Sequence, residues 1–424
     1  MSTLKVVAID FGTTFSGYAY FSEHEYKRDP LKTSTNADTG RLASYKTSSC
    51  VLFDPTRNFH SFGYEAEENY SALKGKNHDW YYFRNFKMMV YDKMGLTRET
   101  LIKDGKGKTM EAITVFSSAI GYLKSHLFTN FKKQSTSILD ESGITWVLTV
   151  PAIWDDKSIQ FMREAAEKVG ICRERLILVL EPVATTLYCK KRFPLQKGTS
   201  HNVFKSGEKY MVIDAGGGTT DITVNEMRTD GSIRELHKAS GCDWGGKNVD
   251  SSFISVLADI VGKDVMENFS VINDYDFLAL LNDFEMKKRT ISPDLNESVT
   301  IKVPKSLPET FSERNPRSKI TDVILNSKYK DQLTWIEHEI RMDANLVKTL
   351  FDEICMQIVD YLNDLFTVPA FTDVSCILLV GGFAESLMLQ TAIKEAFENK
   401  KIVIPKKAGL AMLKGAVYFG QQFR

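Results

Sequence analysis

Two aspartates, Asp10 and Asp214, each stand at the end of an apolar run and directly before a turn rich in glycine and threonine. The first stretch reads VVAIDFGTT and the second reads MVIDAGGGTT. A turn without side-chain bulk lets consecutive backbone N–H groups converge on an anion, and threonine hydroxyls add donors. Two carboxylates facing one polyphosphate can also hold Mg²⁺ through its retained waters. The pattern therefore predicts a phosphate site with a magnesium ion.

The residues predicted to bind phosphate share small size or a hydroxyl group, and they are Gly12, Thr13, Thr14, Gly216, Gly217, Gly218 and Thr219. Asp10 and Asp214 are the predicted metal residues, acting through water. For one copy alone, an ordinary hairpin turn with a locally hydrogen-bonded aspartate is the favoured explanation. Two copies in matched context favour the phosphate site. Neither copy has the ending of a Walker loop or the glycine spacing of dinucleotide folds.

The elements that position these turns are predicted to be strands. Residues 6–10 and 211–214 are short apolar runs typical of buried strands, and each turn leads into a second strand. The offset between the two aspartates is 204 residues (214 minus 10). An internal repeat at this domain-sized distance predicts two related lobes.

Strands followed by helices complete the predicted α/β architecture. WVLTV (146–150) precedes Pro151 and a helix capped by Asp155 or Asp156, and CILLV (376–380) precedes Gly381, Gly382 and another helix. A long helix capped by Asp343 carries a stripe that is predicted to be core: Leu346, Leu350, Ile354, Ile358 and Leu362.

Polar or proline-rich stretches divide this pattern. Residues 27–49 and 303–318 are predicted surface excursions, and the segment 190–209 is the predicted connection between lobes. The predicted domains are thus a first lobe over 1–189 and a second over 190–424.

Composition excludes several function classes. Lys plus Arg total 54 and Asp plus Glu total 54, so no net charge recruits nucleic acid or an anionic membrane. No apolar stretch is long enough to span a membrane. The six cysteines are scattered without metal-site spacing, which favours a reducing compartment. A cytoplasmic location is expected, with the nucleus not excluded.

Several segments together resemble the nucleotide-binding domain of the seventy-kilodalton heat-shock proteins. In order, they are IDFGTTFS, TVPAIWDD, LEPVAT, IDAGGGTTDIT, GCDWGGKNVD, FEMKKRTIS and LLVGGF. Trp154 and KGAVYFG near the end resemble a divergent animal branch of that family. The resemblance implies an α/β, two-lobed, actin-like ATPase fold (ribonuclease H-like and duplicated) with a central nucleotide cleft, and it implies ATP or ADP with Mg²⁺ as cofactors.

Catalytic roles follow from the same resemblance. Lys87 stands where the family places a lysine near the γ-phosphate and attacking water, although a solvated lysine beside aromatic residues is the plainer interpretation. Glu181 matches the glutamate near the magnesium waters, Asp214 the residue that positions the metal, and Thr219 the second phosphate loop. Asp221 matches a further acidic position, with turn capping as an equal alternative.

Adenosine-binding residues are implied in a second group: Gly246, Glu285, Lys288, Arg289, Ser292, Gly381, Gly382 and Phe383. The spacing of Glu285, Lys288, Arg289 and Ser292 puts them on one face of a helix. Spacing alone favours a solvated face, and only the resemblance favours adenosine. Phe383 follows the double glycine near the place of the adenine-stacking arginine of the family, and Ile159 replaces a signalling arginine.

The expected function is that of a chaperone-type domain that binds Mg-ATP, hydrolyses it slowly and signals nucleotide state by lobe closure. Expected partners are nucleotide and possible client proteins or co-chaperones, with no nucleic acid and no membrane span. The alternatives are a nucleotide-sensing pseudo-ATPase module, a metabolite kinase of the same fold, and an actin-like filament former.

Overall fold

A computed structural model describes residues 4–22, 33–35, 45–73, 78–91, 96–134, 140–192 and 204–423. The chain forms two compact units: unit 1 spans Met1–Asp243, Ala370–Gly382 and Lys400–Arg424, and unit 2 spans Trp244–Pro369 and Phe383–Asn399. The lobe boundary predicted between residues 189 and 190 lies within the first range of unit 1, and the lobe division stays a prediction. Most of the excursion predicted over 27–49 and of the connection over 190–209 lies outside the described residues.

The strands, in chain order, are β1 (Leu4–Phe11), β2 (Phe15–Ser22), β3 (Ser34–Thr35), β4 (Thr47–Ser48), β5 (Cys50–Phe53), β6 (Phe59–Phe62), β7 (Tyr81–Arg84), β8 (Leu101–Lys103), β9 (Thr109–Glu111), β10 (Thr145–Val150), β11 (Leu176–Leu180), β12 (Lys209–Ala215), β13 (Thr220–Met227), β14 (Ile233–Cys242), β15 (Val299–Lys302), β16 (Leu333–Ile336), β17 (Glu339–Met342), β18 (Cys376–Val380) and β19 (Lys401–Val403).

The α-helices, in chain order, are α1 (Tyr64–Ala72), α2 (Met88–Tyr91), α3 (Ala112–Gln134), α4 (Asp156–Lys168), α5 (Glu181–Arg192), α6 (Gly246–Val261), α7 (Lys263–Ile272), α8 (Asp274–Lys288), α9 (Ser306–Arg314), α10 (Ile320–Leu325), α11 (Ala344–Thr349), α12 (Asp352–Thr367), α13 (Leu387–Ala396) and α14 (Ala411–Gln421).

The two central sheets of unit 1 have matching topology. In the first, the strand order is β11-β10-β1-β2-β3, and in the second it is β14-β13-β12-β18-β19. β1 pairs antiparallel with β2 and parallel with β10, just as β12 pairs antiparallel with β13 and parallel with β18. The repeated strand–turn–strand predicted from the sequence is therefore confirmed, and each copy is the centre of its own sheet.

Helices α5 and α14 pack against each other in unit 1 and supply apolar side chains to both sheets. Leu413 and Val417 of α14 join Val6 and Ala8 of the first sheet, while Tyr418 joins the core of the second sheet. The helices approach closely because residue 415 is glycine: a Cβ atom there would overlap the Ala184 carbonyl. This packing fixes the start of α5, at Glu181, relative to the strand ends.

Unit 2 combines helices α6 to α13 with a sheet of order β15-β17-β16. Phe253 of α6 stacks on Phe284 of α8, with ring centroids 4.1 Å apart. Burial of two aromatic rings holds these helices together. The C-terminal end of α8 is thereby placed beside the start of α6.

Two predicted segments differ from the structure. Residues 303–318, expected to be a surface excursion, contain α9, and its Leu307 and Phe311 are buried. Pro308 lies in the first turn of this helix, where no intrahelical donor is lost. The helix predicted after Asp343 divides into α11 and α12, and Thr349 Oγ1 donates to the Leu346 carbonyl at the end of α11.

The remaining predictions about these elements hold. The stripe assigned to the core is buried throughout: Leu346, Leu350, Ile354, Ile358 and Leu362. Asp155 caps α4 by accepting from the Ser158 N–H at 2.8 Å. Among the helices of the described ranges, none is long and apolar enough to cross a membrane.

Candidate functional site

Both predicted phosphate turns are tight, and backbone proximity explains their glycines. The Gly216 N–H donates to the Thr219 carbonyl at 2.8 Å, which closes the second turn. In the first turn, a Cβ atom at position 12 would overlap the Phe15 carbonyl oxygen, so only glycine fits there.

The two turns adjoin each other within unit 1. A Cβ atom at Gly217 would overlap the hydroxyl of Thr14, and one at Gly218 would lie 2.7 Å from Thr13 Cγ2. Residues separated by about two hundred positions in the sequence thus come into van der Waals contact. A single anion can be reached from both turns.

The hydroxyl group of Thr14 is a candidate hydrogen-bond donor to a ligand. Its Oγ1 is buried and has no hydrogen-bond partner in the part of the chain that the structure describes. A buried donor without a partner costs roughly 1 to 3 kcal/mol. Because this hydroxyl lies against Gly217 of the second turn, a phosphate oxygen between the turns fits the unmet donor.

Carboxylates collect at the strand ends beside these turns. Asp214 lies opposite Asp221 in the β12–β13 pairing, and both are buried, as are Asp10 and Glu181. Burial, followed by the negative charges of Glu181, Asp221 and Asp10, raises the pKa of Asp214 well above its ordinary value. Burial and the charge of Asp10 also raise the pKa of Glu181, against the opposing effect of Lys87. Such a cluster favours a bound cation.

Lys46 reaches into this cluster, although the sequence did not predict it to be a site residue. Its Nζ forms an ion pair with Asp10 Oδ2, and Asp10 Oδ1 accepts from Thr149 Oγ1 at 3.2 Å. Lys46 falls within residues 27–49, and the prediction of a surface excursion is wrong for residues 45–49, since β4 pairs with β2. The strand-like run CVLF at 50–53 could have indicated that the surface excursion ends before residue 50, but it does not predict the contact of Lys46 with Asp10.

Lys87 and Glu181 form a buried ion pair, 3.1 Å between Nζ and Oε1, with side chains only 6% and 8% exposed. The ammonium group of Lys87 also lies 5.6 Å from the centre of the Trp154 ring, in the segment after β10. The plainer interpretation of Lys87, as a solvated lysine, is therefore wrong. Its catalytic role stays a prediction.

The donor set fits a magnesium ion held mainly through water. No three side chains of the His, Cys, Asp and Glu types in the described ranges are arranged to hold a metal directly. Mg²⁺ commonly keeps several waters and takes one or two carboxylates plus phosphate oxygens. Asp10 and Asp214, as buried carboxylates at adjacent strand ends, are suited to that water-mediated part.

Gly381 and Gly382, which follow β18, have different environments. Gly381 has a φ of 93°, and its N–H donates to the Ala408 carbonyl at 3.2 Å. A Cβ atom on Gly381 would overlap the Ala215 carbonyl, whereas one on Gly382 would meet no atom of the described residues within 4 Å. The fold therefore requires the first glycine, and the second has open space beside it.

The second predicted group lies in unit 2 and centres on Lys288. Its Nζ lies 2.6 Å from carboxylate oxygens of both Asp250 and Glu285, and it donates to the Gly246 carbonyl at 2.9 Å. Arg289 pairs with Glu285 at 2.7 Å. Asp250 was not predicted to be a site residue, although Asp250 lies one helical turn after Gly246.

Ser292 does not share the helix with the others. Helix α8 ends at Lys288 and Arg289 caps it, so the single helical face predicted for four residues holds only for Glu285, Lys288 and Arg289. The Thr290 N–H donates to the Lys287 carbonyl at 2.9 Å, which begins a turn instead of another helical residue. The role of Ser292 in binding adenosine stays a prediction.

Phe383 packs inside unit 2 beside the first residue of α6. It is 6% exposed, and its ring carbon Cδ2 would lie 3.4 Å from a Cβ atom at Gly246. Gly246 therefore makes room for this ring. Phe383 is thus a buried part of the packing of unit 2.

Comparison with known proteins adds evidence that is independent of this geometry. Residues 6–406 match the protein family described as Hsp70 protein. Heat shock 70 kDa protein 12A of Mus musculus is 33% identical, over 98% of this chain and 69% of its own length. Heat shock 70 kDa protein 12B of Homo sapiens is 33% identical, over 98% and 68%. The chaperone protein DnaK of Endomicrobium trichonymphae is 30% identical, over 60% and 35%.

Proposed function

The chain belongs to the Hsp70 protein family and has the actin-like ATPase fold of that family, and from this premise we propose that it binds Mg-ATP and hydrolyses it slowly. The products are ADP and phosphate. The observation that carries the proposal is the contact of Thr13 and Thr14 with Gly217 and Gly218, which makes one anion site from two turns.

Phosphate oxygens are bound by the backbone N–H groups of both turns and by the Thr14 hydroxyl. These donors are held in place before the ligand arrives, so they stabilise charge without reorganising. When bound, Mg²⁺ supplies positive charge that neutralises the phosphate oxygens, and Asp10 and Asp214 hold it through water. Asp214 is suited to hold the ion, because its burial and the neighbouring carboxylates favour a nearby cation.

Lys87 and Glu181 act on the water that attacks the γ-phosphate. Their ion pair fixes both groups in the interior of unit 1, so the ammonium of Lys87 is oriented with little freedom. In-line attack needs a positioned water more than it needs covalent chemistry by the protein. Thr219, whose carbonyl closes the second turn, holds that turn in the shape that binds the transferring phosphate.

Within unit 2, the group around Lys288 is suited to bind adenosine. Glu285 and Arg289 offer an acceptor and a donor for ribose hydroxyls. Considered by itself, unit 1 has open space beside Gly382 that is suited to a flat base. Nucleotide-dependent closure of the predicted lobes would then pass the nucleotide state to a client protein or co-chaperone in the cytoplasm.

A nucleotide-sensing module without turnover is the second candidate. Ile159, at the position of the signalling arginine of the family, packs against the apolar core of unit 1 and so cannot act as a charged switch. This observation favours altered signalling, and it does not weaken the phosphate site.

Calorimetry with ADP and ATP in Mg²⁺, followed by single-turnover hydrolysis of labelled ATP, tests the proposal. Binding with release of ADP above the buffer rate is the expected result. Binding without ADP formation would favour the sensing module, and absence of binding would overturn both.

A further inference from the structure

Lys46 is held in the phosphate site by the fold. Strand β4, which follows it, pairs with β2, and the Ser49 N–H donates to the Thr14 carbonyl at 2.8 Å. The Ser49 hydroxyl donates to the Gly12 carbonyl, also at 2.8 Å. The segment that carries Lys46 is thus tied at two points to the first phosphate turn.

The sheet leaves a path for the stem of this lysine. Gly17 is the register partner of Asp10 in the β1–β2 pairing, and a Cβ atom at Gly17 would lie 3.0 Å from Lys46 Cγ. Any larger side chain there would press on the lysine stem. Lys46 therefore crosses the sheet over Gly17 and reaches the carboxylate of Asp10.

Each carboxylate oxygen of Asp10 contacts one protein side chain. One oxygen is ion-paired with Lys46, the other accepts from Thr149, and the residue is completely buried. The ammonium group of Lys46 therefore lies directly against a buried carboxylate.

We propose that Lys46 is a resident cation of the phosphate site, which offsets the charge of Asp10 so that a nucleoside diphosphate binds there with little dependence on Mg²⁺. This inference rests on the proposed nucleotide function. A carboxylate close to a bound polyphosphate repels it unless a cation lies between them. A tethered ammonium meets that need permanently, whereas a metal must be recruited from solution.

The experiment compares calorimetric affinities for ADP in Mg²⁺ and in EDTA. For the wild-type protein we expect less than about a tenfold difference between the two conditions. In Lys46→Met the difference should grow by about tenfold or more, the usual contribution of a hydrogen bond to a charged group. Lys46→Arg, which keeps the charge, should stay close to the wild-type protein.

Lys124→Met is the matched control. Lys124 is 14% exposed, compared with 16% for Lys46, and it pairs with Glu141 at 3.2 Å on another part of unit 1. Its loss should leave the metal dependence of ADP binding unchanged. Thermal unfolding of each variant shows whether it folds.

A direct titration with Mg²⁺ alone gives a second readout. Freed from Lys46, the carboxylate of Asp10 should bind the metal more tightly in Lys46→Met than in the wild-type protein. Equal affinities for Mg²⁺, or equal metal dependence of ADP binding in both proteins, would overturn the inference.

The wild-type measurement alone also tests it, even if Lys46→Met does not fold. A loss of ADP affinity of more than about a hundredfold in EDTA would show that the metal supplies the needed charge, which contradicts a resident cation. Absence of ADP binding in both conditions would instead overturn the proposed function, and the inference with it.

Discussion

Lys87 Nζ lies 3.1 Å from Glu181 Oε1, and this ion pair joins the segment after β7 to the first residue of α5 in the interior of unit 1. Neither group is solvated, so each depends on the other. Removing one partner of a buried pair leaves an uncompensated charge, which is far more costly than losing an exposed pair. Structural and catalytic roles of Lys87 must therefore be separated by experiment.

Replacing Lys87 tests the catalytic role. Lys87→Ala should spare nucleotide binding but slow single-turnover hydrolysis by about a hundredfold, since one positioned charge typically contributes that much. It should also lower the free energy of unfolding by about 3 kcal/mol, because the carboxylate of Glu181 is left buried. Urea unfolding and quench-flow hydrolysis measure the two effects.

The double variant Lys87→Met/Glu181→Gln is the control for the stranded charge. It removes both charges and should regain most of the lost stability, while hydrolysis stays slow. If hydrolysis returned together with stability, both residues would be structural only.

The second prediction concerns the hydroxyl group of Thr14 and its contribution to ADP affinity. Thr14→Val keeps the shape and removes the donor, so ADP affinity should fall by about tenfold, as for the loss of a hydrogen bond to a charged phosphate. Stability should be unchanged or slightly higher, because the hydroxyl has no partner within the described ranges. Calorimetry and thermal unfolding provide the two measurements.

Thr185→Val is the matched control for Thr14. The hydroxyl of Thr185, in helix α5, is also buried without a partner in the ranges that the structure describes. Its removal should likewise leave stability intact but should not change ADP affinity. An equal loss of affinity in both variants would mean that Thr14 does not contact the ligand.

The sequence predicted the parts of this site that depend on local pattern. The apolar run that ends in Asp10, followed by a glycine turn, predicted the bounds of strand β1 within a few residues. The same holds for Asp214 and strand β12. The contact of Lys46 with Asp10 could not be predicted in this way, because a polar segment reaches the site only through the β4–β2 pairing. The helical position predicted for Ser292 was wrong for a related reason, because helical spacing does not reveal that α8 ends at Lys288.

The two glycines after β18 allow a third prediction about base binding. Gly382→Ala should leave stability within about 1 kcal/mol of the wild-type protein, since a Cβ atom there meets no atom within 4 Å in the part of the chain that the structure describes. If a purine lies against this backbone, ADP affinity should fall by about tenfold, because the added methyl overpacks the contact. Unchanged affinity would count against adenosine at Gly382.

Gly381→Ala provides the contrast. Its φ of 93° and the overlap with the Ala215 carbonyl predict destabilisation by roughly 1 to 3 kcal/mol, whether or not nucleotide is present. Gly381→Ala thus tests the stability of the fold, and Gly382→Ala tests the binding of the ligand.

The carboxylates around Lys288 predict a pH dependence of stability. Burial and the charge of Glu285 raise the pKa of Asp250 to about 6 from an ordinary value of 3.8, although Lys288 opposes the shift. The folded state therefore holds this proton more tightly than the unfolded state does. Its stabilising contribution is present below about pH 4 and is lost as the pH rises through about 6.

Replacing Asp250 with asparagine should remove that titration, while Lys288 keeps its pair with Glu285. Between pH 4 and pH 7, the urea midpoint of Asp250→Asn should therefore rise relative to the wild-type protein, by the equivalent of about 2 to 3 kcal/mol. Asp264→Asn is the control, because Asp264 forms an exposed ion pair with Arg314. A pH-independent difference between Asp250→Asn and the wild-type protein would mean that Asp250 is already ionised at pH 4, held so by the ammonium of Lys288.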